Sequence, residues 1–107
     1  MKKITLNDGH KIDIVGSGTN TFGKENHEYQ APINMDATEV LMAIENGYRH
    51  FDTAISYRNE AVVAKGITES GYPREDFYLT SKIPGRSPHI DSESNVLESI
   101  EMSLKEL

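Results

Sequence analysis

After residue 13, strand-like and helix-like stretches alternate three times, and nothing else in the 107 residues restricts the fold as tightly. Ile14-Val15-Gly16-Ser17-Gly18-Thr19 reads as a short apolar strand opening into small residues. Residues 20 to 35 read as a long loop with Gly23 and Pro32 and no periodicity. A loop of that length is uncommon in a compact domain unless it has a task. A helix follows, with Asp36 as cap, Glu39 completing a capping box and Val40, Leu41 and Ile44 as its apolar stripe. Gly47 supplies its stop. Tyr48 to Asp52 reads as the next strand. Asn59 is placed to cap a second helix through Val62, Val63 and Ile67, ended by Gly71 and Pro73. Phe77 to Lys82 is strand-like and is broken by Pro84-Gly85. A third helix starts at Asp91 or Ser92, with Leu97, Ile100, Leu104 and Leu107 at helical spacing.

Ahead of this run, Ile4-Thr5-Leu6 and His10-Lys11-Ile12 flank Asn7-Asp8-Gly9. Asp-Gly between alternating apolar residues favours a two-residue hairpin turn. The order is therefore hairpin, then β-α-β-α-β-α. Strands and helices alternating at this spacing form parallel βαβ units with right-handed crossovers, which places the chain in the α/β class. Three units are too few for a closed barrel of eight, which needs roughly 250 residues. Leu107 is a stripe residue with no stop signal behind it. The expectation is an interrupted repeating architecture, with a hairpin over 1–14 and β/α units over 14–107, belonging to a single domain and not completing it.

Composition removes several classes of function. Lys and Arg number 11 against 17 Asp and Glu, a net charge of −6, whereas a nucleic-acid binder needs clustered positive charge. With no cysteine there is no disulfide scaffold, thiolate metal site or thiol nucleophile. His10, His27, His50 and His89 are scattered without ligand spacing, so no metal site is expected. Met1-Lys2-Lys3 precedes no apolar run, so neither a signal peptide nor a membrane span is expected, and the chain reads as cytoplasmic.

Several stretches resemble the aldo-keto reductase family. Gly47-Tyr48-Arg49-His50-Phe51-Asp52-Thr53-Ala54, with Tyr57 and Asn59-Glu60, is similar to the signature around its second strand. Ser70-Gly71, Arg74-Glu75 and Leu79-Thr80-Ser81-Lys82 look like its run into the third strand. Asn7 to Ile12 and Gly16 to Thr19 look like its opening hairpin and first barrel strand. The resemblance implies an N-terminal hairpin followed by the first three β/α units of a TIM (β/α)8 barrel, incomplete. It also implies reduction of an aldehyde or ketone with a nicotinamide cofactor, usually NADPH, with NADH left open. The family's tetrad histidine sits on a fourth strand, and most cofactor phosphate and adenine contacts lie near the seventh and eighth.

On that resemblance Tyr57 is the proton donor, and Lys82 and Asp52 assist it. A phenol has a reference pKa of about 10, and a nearby cation favours its charged form. Read alone, Tyr57 is one of 5 tyrosines, Lys82 a solvated strand-end lysine and Asp52 a turn cap. Gly18, Thr19 and Asn20 end the first strand, where small residues let a backbone approach a ligand. With Asp52 they are the expected cofactor contacts. Asn20 stands where many members carry Trp, and Asp13 where proline is frequent. Two other readings remain: a cofactor-binding regulatory protein of the same fold, or a truncated, inactive chain. Taken literally, three parallel strands leave two unpaired edges, and self-association of the chain is then expected.

Overall fold

The computed structural model describes all residues from 1 to 107. A hairpin of β1 (Lys3–Thr5) and β2 (Lys11–Asp13) precedes a parallel sheet of β3 (Ser17–Gly18), β4 (His50–Asp52) and β5 (Tyr78–Thr80), in that order. Helices α1 (Thr38–Glu45) and α2 (Glu60–Ser70) make the crossovers, and α3 (Glu93–Glu106) follows β5.

The hairpin loop is longer than the Asp-Gly dipeptide suggests. Gly9 N–H donates to the Leu6 carbonyl at 3.0 Å, and Leu6 N–H to the His10 carbonyl at 2.7 Å. Asn7, Asp8 and Gly9 thus form a three-residue loop in which Gly9 alone has a positive φ, +91°. The two-residue type I′ turn needs positive φ at both central residues, so one glycine selects the longer loop. Lys3 Nζ meets the buried Asp13 carboxylate at 2.7 Å and ties the two strands together. Ile14 N–H is taken by the Lys2 carbonyl at 2.9 Å, so the hairpin claims the start of the expected first strand. Only Ser17 and Gly18 pair with β4, while Ile14 and Val15 stay exposed.

Helix α1 starts one residue later than its capping signal. Asp36 Oδ1 accepts from Thr38 N–H at 3.0 Å. Glu39 does not close a capping box. It accepts from Gly23 N–H at 3.2 Å and lies 3.3 Å from His27 Nδ1, because the long loop folds over this end of the helix. At the other end Gly47, at φ +94°, donates to the Ile44 carbonyl and Tyr48 to the Ala43 carbonyl. These two bonds form a Schellman stop that turns the chain directly into β4. Gly71, at φ +80°, ends α2.

Ala37 at the cap of α1, Val40 and Ile44 within it, and Val62, Val63 and Ile67 from α2 pack on Phe51 and Phe77. The two helices approach closely because Gly66 faces Val40. The third helix is present, with Ser92 Oγ accepting from Asn95 N–H at 3.1 Å as its cap. Its stripe is not core: Leu97, Ile100 and Leu104 are exposed, and only Leu107 packs against the central cluster.

Candidate functional site

Strands β4 and β5 are parallel, so their C-terminal ends emerge on one edge, with Asp52 opposite Thr80. Pairing continues beyond the strands. Thr53 N–H donates to the Thr80 carbonyl at 2.7 Å, and Ile55 N–H to the Lys82 carbonyl at 3.2 Å. Side chains alternate along extended chain, so Lys82, two residues after Thr80, returns to the face of Asp52. Its ammonium pairs with Asp52 Oδ1 and donates to the Thr53 carbonyl at 3.0 Å. It also stands 5.3 Å from the centre of the Tyr57 ring. The Lys82 and Asp52 side chains are 48% and 49% exposed, so water screens the pair and its weight in folding is small. What it fixes is the position of a cation beside a phenol.

Partial burial pulls the Lys82 ammonium down. The hydrogen bond and charge of Asp52, joined by the Tyr57 phenol, outweigh that and hold it above the ordinary 10.5. Lys24 shows the opposite balance. It is fully buried, its Nζ donates to the Asn20 carbonyl at 2.7 Å and the Tyr29 carbonyl at 2.9 Å, and no carboxylate offsets its desolvation. Burial and then the Arg58 charge push it below 10.5. The signs follow by linkage. Stability from Lys82 is fully present below 10.5 and lost as pH rises through its higher folded value. The cost of burying charged Lys24 is present at neutral pH and relieved as pH climbs from its lower folded value to 10.5. A lysine-Nζ NMR titration is expected to show Lys24 losing its proton before Lys82; the reverse order would refute both environments.

Tyr57 ends a 3-10 turn over Ile55–Tyr57, and Arg58 follows at φ +61°. That left-handed conformation costs roughly 1–2 kcal/mol for a residue with a Cβ. Arg58 Nη2 holds it by donating to the Tyr29 and Ala31 carbonyls, at 2.9 and 3.0 Å. The Tyr29 carbonyl therefore receives both Lys24 and Arg58. This brings the Tyr29 ring edge-on to Tyr57, with centroids 6.0 Å apart. The expected long loop is thus a fixed wall beside Tyr57, built on a buried lysine.

The three residues at the end of β3 divide. Gly18 and Asn20 are exposed, and a Cβ at Gly18 would meet nothing within 4 Å. Thr19 is buried, its hydroxyl donating to the Asp52 carbonyl at 3.0 Å, so its side chain braces β3 against β4. Asn59 sits at the helix cap position but its side chain does not cap. Its Nδ2 donates to the Thr19 carbonyl at 2.6 Å and the Phe22 carbonyl at 3.0 Å, fastening the end of β3 to the start of α2. Glu60 accepts from Ser81 Oγ at 2.6 Å and so anchors the residue before Lys82. Sequence reasoning missed this link; Asn59-Glu60 inside the quoted signature was the available signal.

The histidines serve locally. His50 Nδ1 is 3.4 Å from the Asp13 carbonyl, and its ring meets Tyr78. His10 pairs with Asp8, and His89 Nδ1 is 2.8 Å from Ser99 Oγ. No helix is long and apolar enough to cross a membrane.

The aldo/keto reductase family model matches residues 14–107. An aldo-keto reductase of Mycolicibacterium smegmatis is 42% identical over 81 residues, covering 76% of this chain and 26% of the relative. The glycerol 2-dehydrogenase (NADP(+)) of Saccharomyces cerevisiae is 44% identical over 82 residues, covering 77% of this chain and 23% of the relative. This chain thus spans about a quarter of the length of these curated relatives. The crystal structure of a Bombyx mori aldo-keto reductase in complex with NADP superposes with a TM-score of 0.77 at 37% identity, covering 99% of this chain and 34% of that one. An aldo/keto reductase from Brucella melitensis gives a TM-score of 0.76 at 32% identity, covering 98% and 36%. With its strand order, its Asp52–Lys82 pair and these matches together, the chain belongs to the aldo/keto reductase family of oxidoreductases.

Proposed function

We propose that β3, β4 and β5 are consecutive staves of a (β/α)8 barrel that reduces an aldehyde or ketone with NADPH. The observation that carries the reading is the Lys82 ammonium, seated on Asp52 and the Thr53 carbonyl and facing the Tyr57 ring at 5.3 Å. In this reading Tyr57 Oη donates its proton to the carbonyl oxygen as the carbon–oxygen π bond opens. Lys82 stabilises the phenolate left behind, since a cation within a few ångströms favours the charged form. Asp52 keeps Lys82 protonated and aimed.

The nicotinamide cofactor, when bound, supplies the hydride to the carbonyl carbon. The residues present fit its reactive end. Gly18 leaves open space beside the backbone at the end of β3, Asn20 offers an exposed amide, and Asp52 pairs with Gly18 from β4. Thr19 serves this contact indirectly, its hydroxyl being spent on the Asp52 carbonyl and so holding the backbone.

The test is NADPH oxidation by the intact protein in the presence of a short aldehyde, wild type against Lys82→Met. A positioned acid contributes about 10²–10⁴-fold, so loss of its cation is expected to lower kcat by roughly a hundredfold. A variant that turns over at the wild-type rate contradicts the assignment.

A further inference from the structure

Beside the proton-donating turn lies a cavity of about 530 Å³ whose charged lining residues are all basic in a protein of net charge −6. Its polar wall is Arg58, Arg86, His89, Ser56 and Gln30, with Tyr29 and Ile55 beside them. Ser56 and Arg58 flank Tyr57 directly in the chain, so this cavity and the proton donor share one turn.

We propose that this cavity receives an anionic group, a carboxylate or a phosphate monoester, carried by the carbonyl substrate. The inference rests on the reductase reading of Tyr57 and names the substrate class of that site. Three observations support it. The first is the donors left free. Arg58 spends Nη2 on two carbonyls, Arg86 spends Nη1 on Ser56 Oγ at 3.0 Å, and His89 has Nδ1 on Ser99. The remaining guanidinium nitrogens and His89 Nε2 keep their capacity. Second, the single acid of residues 83–92, Asp91, is engaged by Ser87 Oγ at 2.6 Å. Third, the arginines arrive from two separate loops, each fixed by hydrogen bonds to a neighbouring loop. A planar guanidinium recognises carboxylate and phosphate alike through paired hydrogen bonds.

The test has a binding arm and a kinetic arm on the intact protein. In the first, isothermal titration measures glutarate and inorganic phosphate on wild type, Arg86→Met and Arg86→Lys. One charge-assisted bond is worth about tenfold in affinity. Binding of one anion is expected to weaken by about that factor in Arg86→Met and less in Arg86→Lys. No binding of either anion, or binding unchanged in Arg86→Met, overturns the proposal. Which anion binds decides between carboxylate and phosphate.

In the second arm, kcat/KM is compared for 4-oxobutanoate against butanal and for glyceraldehyde 3-phosphate against glyceraldehyde. The anionic member of one pair is expected to be preferred by about tenfold or more, and Arg86→Met to erase that ratio. Equal rates within both pairs overturn the anion site and leave the reductase reading standing. No turnover of any aldehyde sinks the reductase reading, and the substrate class with it. An NADPH Kd weakened in Arg86→Met with an unchanged preference assigns the anion to the cofactor and also overturns the proposal.

Discussion

Tyr57→Phe is expected to lower kcat for carbonyl reduction by about 10²–10⁴-fold, the range a positioned general acid supplies. At 1.36 kcal/mol per factor of ten this is about 3–5 kcal/mol of transition-state stabilisation. The substitution removes one oxygen and leaves the ring that packs edge-on against Tyr29. The turn over Ile55–Tyr57 is held by backbone bonds, Tyr57 N–H to Ala54 at 3.1 Å and Arg58 N–H to Ile55 at 2.9 Å, so the fold is expected to survive. The loss should fall on kcat, with cofactor affinity little changed, because in the proposed reaction the phenol acts on the carbonyl oxygen. Circular dichroism, an NADPH titration and steady-state rates on the same preparation separate these effects. A Phe variant reducing aldehydes at the wild-type rate removes Tyr57 from the mechanism.

A clear effect on folding is expected at Gly66. In an ordinary helix interior Gly→Ala gains about 1 kcal/mol. Here a Cβ would lie 2.4 Å from Val40 Cγ1 and 2.6 Å from Val40 Cβ. Val40 is fully buried, and a β-branched side chain has one strongly preferred rotamer in a helix, so it has little room to give. Overpacking costs about 1–3 kcal/mol and wins over propensity. Gly66→Ala is expected to destabilise by about 1–2 kcal/mol, read as a lowered Tm in thermal unfolding. Val40→Ala in the same chain should recover about 1 kcal/mol relative to the sum of the single changes, as contacting pairs do. A Gly66→Ala protein that melts higher than wild type contradicts the drawn α1–α2 contact.

The parts of the fold carried by periodic or turn-specific residues were legible in the sequence. Val40 and Ile44, Val62, Val63 and Ile67, and the stops at Gly47 and Gly71 are local signals, and local physics settles them. The Asp52–Lys82 pairing was legible because parallel strands bring their ends to one edge and both residues stand at those ends. What was not legible depends on distant chain. Glu39 and Asn59 carry good capping chemistry, yet both turn to the loop after β3, whose bare carbonyls and N–H groups need them more. The burial of Lys24 was not legible, because no sequence pattern announces two backbone carbonyls converging on one ammonium. The α3 stripe has the right period, but period does not say whether a partner surface is there to cover Leu97, Ile100 and Leu104.

In the proposed reaction Tyr57, Lys82 and Asp52 together serve a hydride transfer from a nicotinamide to a carbonyl carbon. The most direct measurement is the fate of deuterium from NADPH carrying two deuterium atoms at the nicotinamide C4, followed by mass spectrometry of the alcohol formed from a short aldehyde by the intact protein. The predicted result is one deuterium on the carbinol carbon with wild type and, over the same reaction time, about 10²–10⁴-fold less labelled alcohol with Tyr57→Phe. Labelled alcohol formed equally by both proteins, or no labelled alcohol from wild type, would contradict it.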